Sequence, residues 1–550
     1  MGLRTRWRRL AARSGTSSPR AGFGGRARQP HIAEQTIREV LELAVRIGEA
    51  MLALGAAASD VTDAIRRVCG TFGVECHIDL TFTAILVTHD GTDRLAGISV
   101  LRVVSSPTAD YGRLGRVLAI ERRLSHLPVD VQVADPTIDQ GTRDEVREIL
   151  ESAHAELDET LSAPRPIRRW MVTLLLATLA GAVAVLLGGG PAIVAIAAGT
   201  TVLIDSVLRA LSRWGLPVFF LQAVGAAVAT IVAVSLSAAV PGLPVEFSTL
   251  PPALVVASGV VVLLAGGSVV GAANDAINGF PVTASGRIIE VVLLTVGIVA
   301  GIGGVLDLAR RLGIALTLDD IPSNPAPFAA QVVAAGVASA AWAFASYAGP
   351  LTAALSGAAG AAAFAVFTAT TSLGASNPAA AAVAATAVGF VSSLVSRRTG
   401  IPVVALTVCG IVPLLPGLTI YRGMLALVTG STETDGGQLL LQAAMTGLSL
   451  AAGVTLGEIL ARRNRRRRLA GSLGSVPAGG TAVATDAAPI DFPRTGSIPM
   501  QTSSEASSSA SESEPAIANP DEDPDEDPLG DALDEPDPFD DRRGRSDPIL

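Results

Sequence analysis

From residue 170 to residue 460 the chain is an almost unbroken succession of apolar segments rich in Ala, Gly, Val and Leu, each about long enough to cross a bilayer. An α-helix rises about 1.5 Å per residue, so a hydrocarbon core of ~30 Å takes roughly 20 apolar residues. A water-soluble fold could not repeat that length so often without exposing large apolar patches. Amides in lipid must be satisfied inside their own segment, which selects helices over open sheet. The predicted fold class is a polytopic α-helical membrane protein. We read about ten transmembrane helices, at 170–187, 191–211, 217–240, 250–271, 287–308, 327–348, 350–370, 375–396, 401–428 and 438–460. Small residues such as Gly357 and Gly360 let such helices approach closely.

Charge avoids this region. The chain is 49% hydrophobic and 17% charged, and the charges gather at its two ends. All 41 basic residues are arginine, which together with the alanine excess points to a GC-rich bacterial genome. The formal net charge of -9 lies mostly in an acidic C-terminal tail, so it is no argument for nucleic acid, and none is expected as a partner. Residues 1–31 form a basic tail (Arg4, Arg6, Arg8, Arg9, Arg13) without the apolar stretch of a secretory signal. Residues 469–550 are Ser/Thr/Pro/Gly-rich and then acidic, a disordered tail by composition.

Between the basic tail and the first span, 32–162 reads as a small α/β domain. Ile37, Val40, Leu41, Ala44, Val45 and Gly48 share one helical face, and 74–88 alternates like a strand or two. His89-Asp90-Gly91-Thr92 is a turn signal, 95–104 a paired strand, and 111–124 and 142–161 read as helices. The membrane part divides into a first half, 165–311, and a second half, 327–461. Arginines set the orientation. Arg165, Arg168, Arg169, Arg209, Arg213, Arg287, Arg397, Arg398 and the run from Arg462 to Arg468 all fall on one side of a ten-span chain. That side is cytoplasmic, so both termini and the α/β domain are expected inside a bacterial inner membrane. Arg310 and Arg311 dissent, beside Asp307.

Broken helices in repeated order are the best sequence pointer to a transport site. In the ninth segment, Gly410 to Gly417 interrupts an apolar run with Pro413 and Pro416, and proline both removes an amide donor and clashes with the preceding turn. Gly266, Gly267 and Gly271 stand at the corresponding place in the fourth. A polar stretch follows each: Asn274, Asp275 and Asn278 in one half, Thr419, Tyr421 and Arg422 in the other. Five segments per half, an odd number, makes the two halves inverted repeats. The candidate substrate-binding set is Asn274, Asp275, Asn278, Pro413, Pro416, Gly417, Thr419 and Tyr421. Half-helix ends suit the carboxylate and ammonium groups of a zwitterion. The competing reading is that Pro and Gly merely kink helices for packing.

Ionisable residues inside a span cost roughly 2.5–3.5 kcal/mol on insertion scales, so each needs a reason. Glu290, one turn after Arg287, and Asp205, four residues before Arg209, are the candidates for proton coupling, against the alternative of interfacial ion pairs. For Glu458, near Arg462, the ion pair is the preferred reading. Cys69, Cys76 and His77 match no common zinc spacing, and no metal site is expected. His77, Asp79, His89, Asp90, Ser105 and Ser106 permit a hydrolase alternative, which turn and strand-edge roles explain as well. No phosphate-binding Gly-rich loop with its lysine is present, which argues for ion coupling over ATP hydrolysis, and no cofactor is expected.

Three stretches carry a resemblance: Glu75-Cys76-His77-Ile78-Asp79 on to Thr83, Gly215 to Phe220, and Val412-Pro-Leu-Leu-Pro-Gly-Leu-Thr-Ile-Tyr-Arg-Gly423. The chain resembles the threonine/serine exporter family over about 32–460, and the Pro-x-x-Pro-Gly run is the most specific part. The resemblance implies a cytoplasmic N-terminal domain, about ten spans, and export of small hydroxy amino acids driven by the proton motive force. It assigns no residue roles. Its expected partners are an amino-acid substrate and the lipid bilayer, with a homo-oligomer left open. Some relatives divide the halves between two chains and have been linked to organic-acid export, so a dicarboxylate substrate remains the alternative within the class.

Overall fold

The computed structural model describes residues 29–90, 97–104, 109–127, 140–239, 252–260, 263, 266–314, 326–429 and 435–473. The tails expected at 1–31 and 469–550 lie almost wholly outside these residues, as do Gly91, Thr92, Ser105 and Ser106.

The N-terminal part begins with two helices, α1 (Gln29–Ala53) and α2 (Ala58–Thr71). Sequence reading missed α2, although Val61, Ala64, Ile65 and Val68 fall on one face and are all buried. An antiparallel sheet follows, β1 (His77–Leu80), β2 (Ala84–His89) and β3 (Ile98–Val103), in sequence order. Ile78 pairs with Val87, and Val87 in turn with Val100. Helices α3 (Tyr111–Ser125) and α4 (Gln140–Ser162) complete the module. Its core, centred on Ile37, Leu41, Ile65, Phe72, Ile85 and Leu114, does not close on itself. It runs on into Ala343, Ala348, Ala353, Ala405 and Cys409, far downstream.

The rest is helical: α5 (Arg169–Leu186), α6 (Pro191–Ser212), α7 (Val218–Ala239), α8 (Pro252–Val260), α9 (Gly266–Ile277), α10 (Pro281–Arg311), α11 (Phe328–Ala345), α12 (Pro350–Ser372), α13 (Asn377–Thr399), α14 (Val403–Gly410), α15 (Gly417–Thr429) and α16 (Gly436–Leu473). Among the described residues eight helices are long and apolar enough to cross a bilayer, by length and composition. A ninth is reached if α14 and α15, bent by 40° at their junction, count as one span. The predicted segment 250–271 is divided between α8 and α9. Gly266, Gly267 and Gly271 belong to α9, whose first residue is Gly266, and of residues 261–265 between the two helices only 263 is among those described. At the other break the chain leaves α14 at Gly410, makes one tight turn over Val412–Leu414 and resumes at Gly417, as two prolines missing their amide donors dictate.

Glycines set the tightest helix contacts. A Cβ on Gly297 or Gly301 of α10 would collide with the carbonyl oxygens of Phe219 and Ala223 in α7. A Cβ on Gly453 or Gly457 of α16 would likewise collide with those of Ala382 and Thr386 in α13. Between α11 and α12, Gly360 leaves room for Ser339, and Gly336 faces Gly357. Of the two arginines that depart from the charge rule, Arg311 pairs with Asp307 at 2.9 Å near the end of α10.

Candidate functional site

A cavity of about 860 Å³ opens among α5, α6, α7, α9, α10, α13, α14, α16 and the module. Both signs of charge line it. Helix α9 contributes Asn274, Asp275 and Asn278, α10 contributes Arg287 and Glu290, and α6 contributes Asp205 and Arg209. From the second half come Ser396, Arg397, Thr407, Thr455, Glu458 and Arg462. The module adds Asp60, Asp63 and Phe82.

Asp275 is 1% exposed and pairs by charge with Arg287, although its Oδ2 makes no hydrogen bond among the described residues. Oδ2 lies 2.9 Å from Arg287 Nε, and Oδ1 accepts the Ala58 amide of α2 at 3.4 Å. Gly271, one turn earlier on α9, makes the room: a Cβ there would stand 2.7 Å from an Arg287 guanidinium nitrogen. Asn274 accepts a hydrogen bond from Thr455 Oγ1 at 3.3 Å, tying α9 to α16, and receives Asn278 Nδ2 on its backbone oxygen at 2.8 Å. Asp205 accepts from Thr173 Oγ1 at 2.5 Å and pairs with Arg209 at 3.1 Å. Glu290 makes no ion pair among the described residues, because its neighbour Arg287 turns to Asp275 instead.

The second break behaves otherwise. Pro413, Pro416, Gly417, Thr419 and Tyr421 are absent from the cavity wall, which takes only Ile411 and Leu415 from this run. Tyr421 is 5% exposed within an apolar cluster with Ile204, Leu208, Leu221 and Ile298. The prolines bend the chain between α14 and α15 without lining this cavity themselves.

Gln222 of α7 was not singled out by sequence. It is 4% exposed, lines the cavity, and its Oε1 has no hydrogen-bond partner. A buried acceptor left unmade is costly, which sets Gln222 apart from the apolar residues around it. The signal available was one amide in a 22-residue apolar helix.

Outside the spans, Asp60 opens onto the cavity and stays accessible to it. The surrounding protein still strips enough water from its carboxyl to push it above the ordinary carboxylate range, against the pull of Arg462. Burial likewise holds the Tyr111 phenol well above its usual range, so it stays protonated. In the sheet, His77 Nε2 meets Asp90 at 3.1 Å, both side chains mostly exposed, and His89 Nδ1 lies 2.6 Å from the Glu75 carbonyl oxygen. These are surface and strand-edge contacts. No group of three or more metal-ligating side chains is found among the described residues.

A helical membrane bundle enclosing a mixed-charge cavity defines a transporter of small polar solutes. The ThrE family model, which describes threonine/serine exporters, matches residues 42–147 and 142–309, and the model "Threonine/Serine exporter, ThrE" matches 331–460. The chain is 36% identical over 440 residues to the "Threonine/serine exporter" of Corynebacterium glutamicum, covering 78% of this chain and 83% of that one. It is 32% identical over 432 residues to the "Probable threonine/serine exporter" of Mycobacterium tuberculosis, covering 77% of each. No solved structure matches. The chain belongs to the threonine/serine exporter family, which is a family of transporters and not of enzymes.

Proposed function

We propose that this protein exports L-threonine and L-serine from the bacterial cytoplasm through the cavity, in exchange for protons. The observation that carries the reading is the wall: arginines and carboxylates in one enclosure, with the orphaned Gln222 Oε1 beside them. A zwitterionic amino acid offers a carboxylate to the arginines and an ammonium to the free Glu290. Its side-chain hydroxyl is the donor that Gln222 lacks. A dicarboxylate would bring two negative charges to a wall that also holds Asp60, Asp63, Glu290 and Glu458, so the zwitterion fits better.

Glu290 is the coupling carboxylate in this reading, because Asp205 is already occupied by Arg209 and Thr173. Asn274 and Asn278 border the substrate, and Asp275 supports them.

The architecture we favour is ten membrane segments in two inverted repeats, both termini cytoplasmic. Each half runs as three continuous helices, one broken helix and one long final helix. In each, two glycines four residues apart on the final helix press against carbonyl oxygens four residues apart on the third.

The test is transport by the purified protein in proteoliposomes. Glu290→Gln is expected to abolish uphill, pH-driven threonine export while threonine–threonine exchange continues, since an amide binds but carries no proton. Wild-type pH dependence in that variant would rule Glu290 out. A wild-type protein that moves dicarboxylates in preference to threonine would overturn the substrate.

A further inference from the structure

The N-terminal module touches both halves of the bundle, and the two contacts differ in kind. Toward the second half it is fused by a shared apolar core that takes in Ala343, Ala348, Ala353, Ala405 and the fully buried Cys409. Backbone fits reinforce it. The Tyr111 amide donates to the Ser346 carbonyl at 3.0 Å, and Gly112 leaves room for the Tyr347 carbonyl, which a Cβ would approach to 2.5 Å. Tyr347 holds φ at +58°, the one non-glycine residue in the left-handed region among those described, so this turn is shaped against its own preference to make the fit. Arg122 donates to the Gly400 carbonyl at 3.1 Å, and Gly115 packs on Pro402.

Toward the first half the contacts are sparse and mostly polar. Phe280 is the only first-half residue packed against the module core among those described. The Ala58 amide reaches Asp275 at 3.4 Å, and Thr283 Oγ1 donates to the Leu80 carbonyl at 3.3 Å. Phe82, at the tip between β1 and β2, sits in the notch left by Gly286, where a Cβ would lie 2.9 Å from the Phe82 Cβ. These contacts also form a wall of the cavity, since Ala57, Asp60 and Phe82 face it from the module and Asn274, Asp275 and Asn278 from the first half.

We infer that the module is a gate: it moves with the second half as one body, and the seam from Phe82–Gly286 to Ala58–Asp275 parts to admit the amino acid. Buried apolar cores transmit displacement as rigid bodies, and a few long hydrogen bonds are the joint that yields. Asp275 is then a positioning residue. It caps α2 when the seam is shut and pairs by charge with Arg287 throughout.

The experiment staples each contact in the full-length protein. Phe82→Cys with Gly286→Cys closes the seam, and Gly115→Cys with Pro402→Cys ties the module to the second half. Both are assayed for threonine exchange in proteoliposomes before oxidation, after it and after reduction, beside wild type treated identically. The seam staple is expected to lower exchange at least tenfold, reversibly, while the second-half staple stays within twofold of its reduced rate. Full exchange with the seam closed overturns the proposal, and so does equal loss from the second staple. Should the seam pair be inactive even when reduced, labelling of Asn278→Cys by an impermeant maleimide replaces it. Adding Thr283→Val, which removes one latch, must then speed labelling at least threefold, and an unchanged rate overturns the gate. The inference rests on the cavity being the translocation site. That reading fails separately if Glu290→Gln and Gln222→Leu transport and select as wild type does, and the gate falls with it.

Discussion

At the first helix break, the chain resumes through α9 on Asn274, Asp275 and Asn278, and all three reach the cavity. At the second, between α14 and α15, only Ile411 and Leu415 reach it, and beyond them Tyr421 is packed into an apolar cluster. The two breaks hold the same place in the order of their halves, yet one delivers charge and amide groups and the other delivers shape. What faces the cavity depends on which side chains begin the helix that follows.

The contrast breaks first at Asp275. Asp275→Ala removes the ion-pair partner of Arg287, and losing one member of a buried pair typically costs about 3–5 kcal/mol, part of which Glu290, one turn away, offsets. Thermal unfolding in detergent should drop accordingly and exchange should be lost. Replacing Arg287 by Met as well should recover most of the stability. A stable single variant would mean the first break carries no more than the second.

A smaller effect is expected at Gln222. Gln222→Leu removes the amide that answers the substrate hydroxyl, worth about one hydrogen bond, so preference for threonine over valine should fall about tenfold. Competition assays measure it, and unchanged selectivity would take Gln222 out of the site. Thr419→Val, in the polar stretch after the second break, should leave exchange within about twofold. A larger loss would return that stretch to the binding site and erase the asymmetry.

Smallest of all is a pH effect at Asp60. Its carboxyl is raised by burial, so its contribution to stability is fully present below the ordinary carboxylate range and is lost as pH rises through the raised value. Asp60→Asn should therefore melt slightly higher than wild type at pH 7, with the difference gone near pH 4. A lower melting point at neutral pH would mean that Arg462 outweighs burial.

The sequence made the spans legible because apolar length is a local quantity, and the polar run at Asn274 stood out for the same reason. Pairings were less legible. Arg287 and Glu290 are neighbours on one helical face, but the structure gives Arg287 to Asp275, which the fold brings close from a different helix. Periodicity cannot report such a meeting. Helix α2 escaped notice because its apolar face is short and its N-cap residue, Ala57, makes no side-chain cap. Phe82 in its notch depends on a glycine some two hundred residues later. That Tyr421, after two prolines, packs into an apolar cluster and not along the cavity is likewise set by three-dimensional packing.

The shared core has a consequence for how the molecule is made. Ribosomes add about 5–20 residues per second, so the stretch from the end of α4 to Cys409 takes on the order of 10–50 s to emerge. Until that interval ends the module has been synthesised while its interior is incomplete, since Ala343, Ala348 and Ala353 emerge late in it and Ala405 and Cys409 only at its close. Its unfinished apolar face must be shielded while the spans enter the bilayer one after another. The part of this protein that is born first is among the last to finish folding.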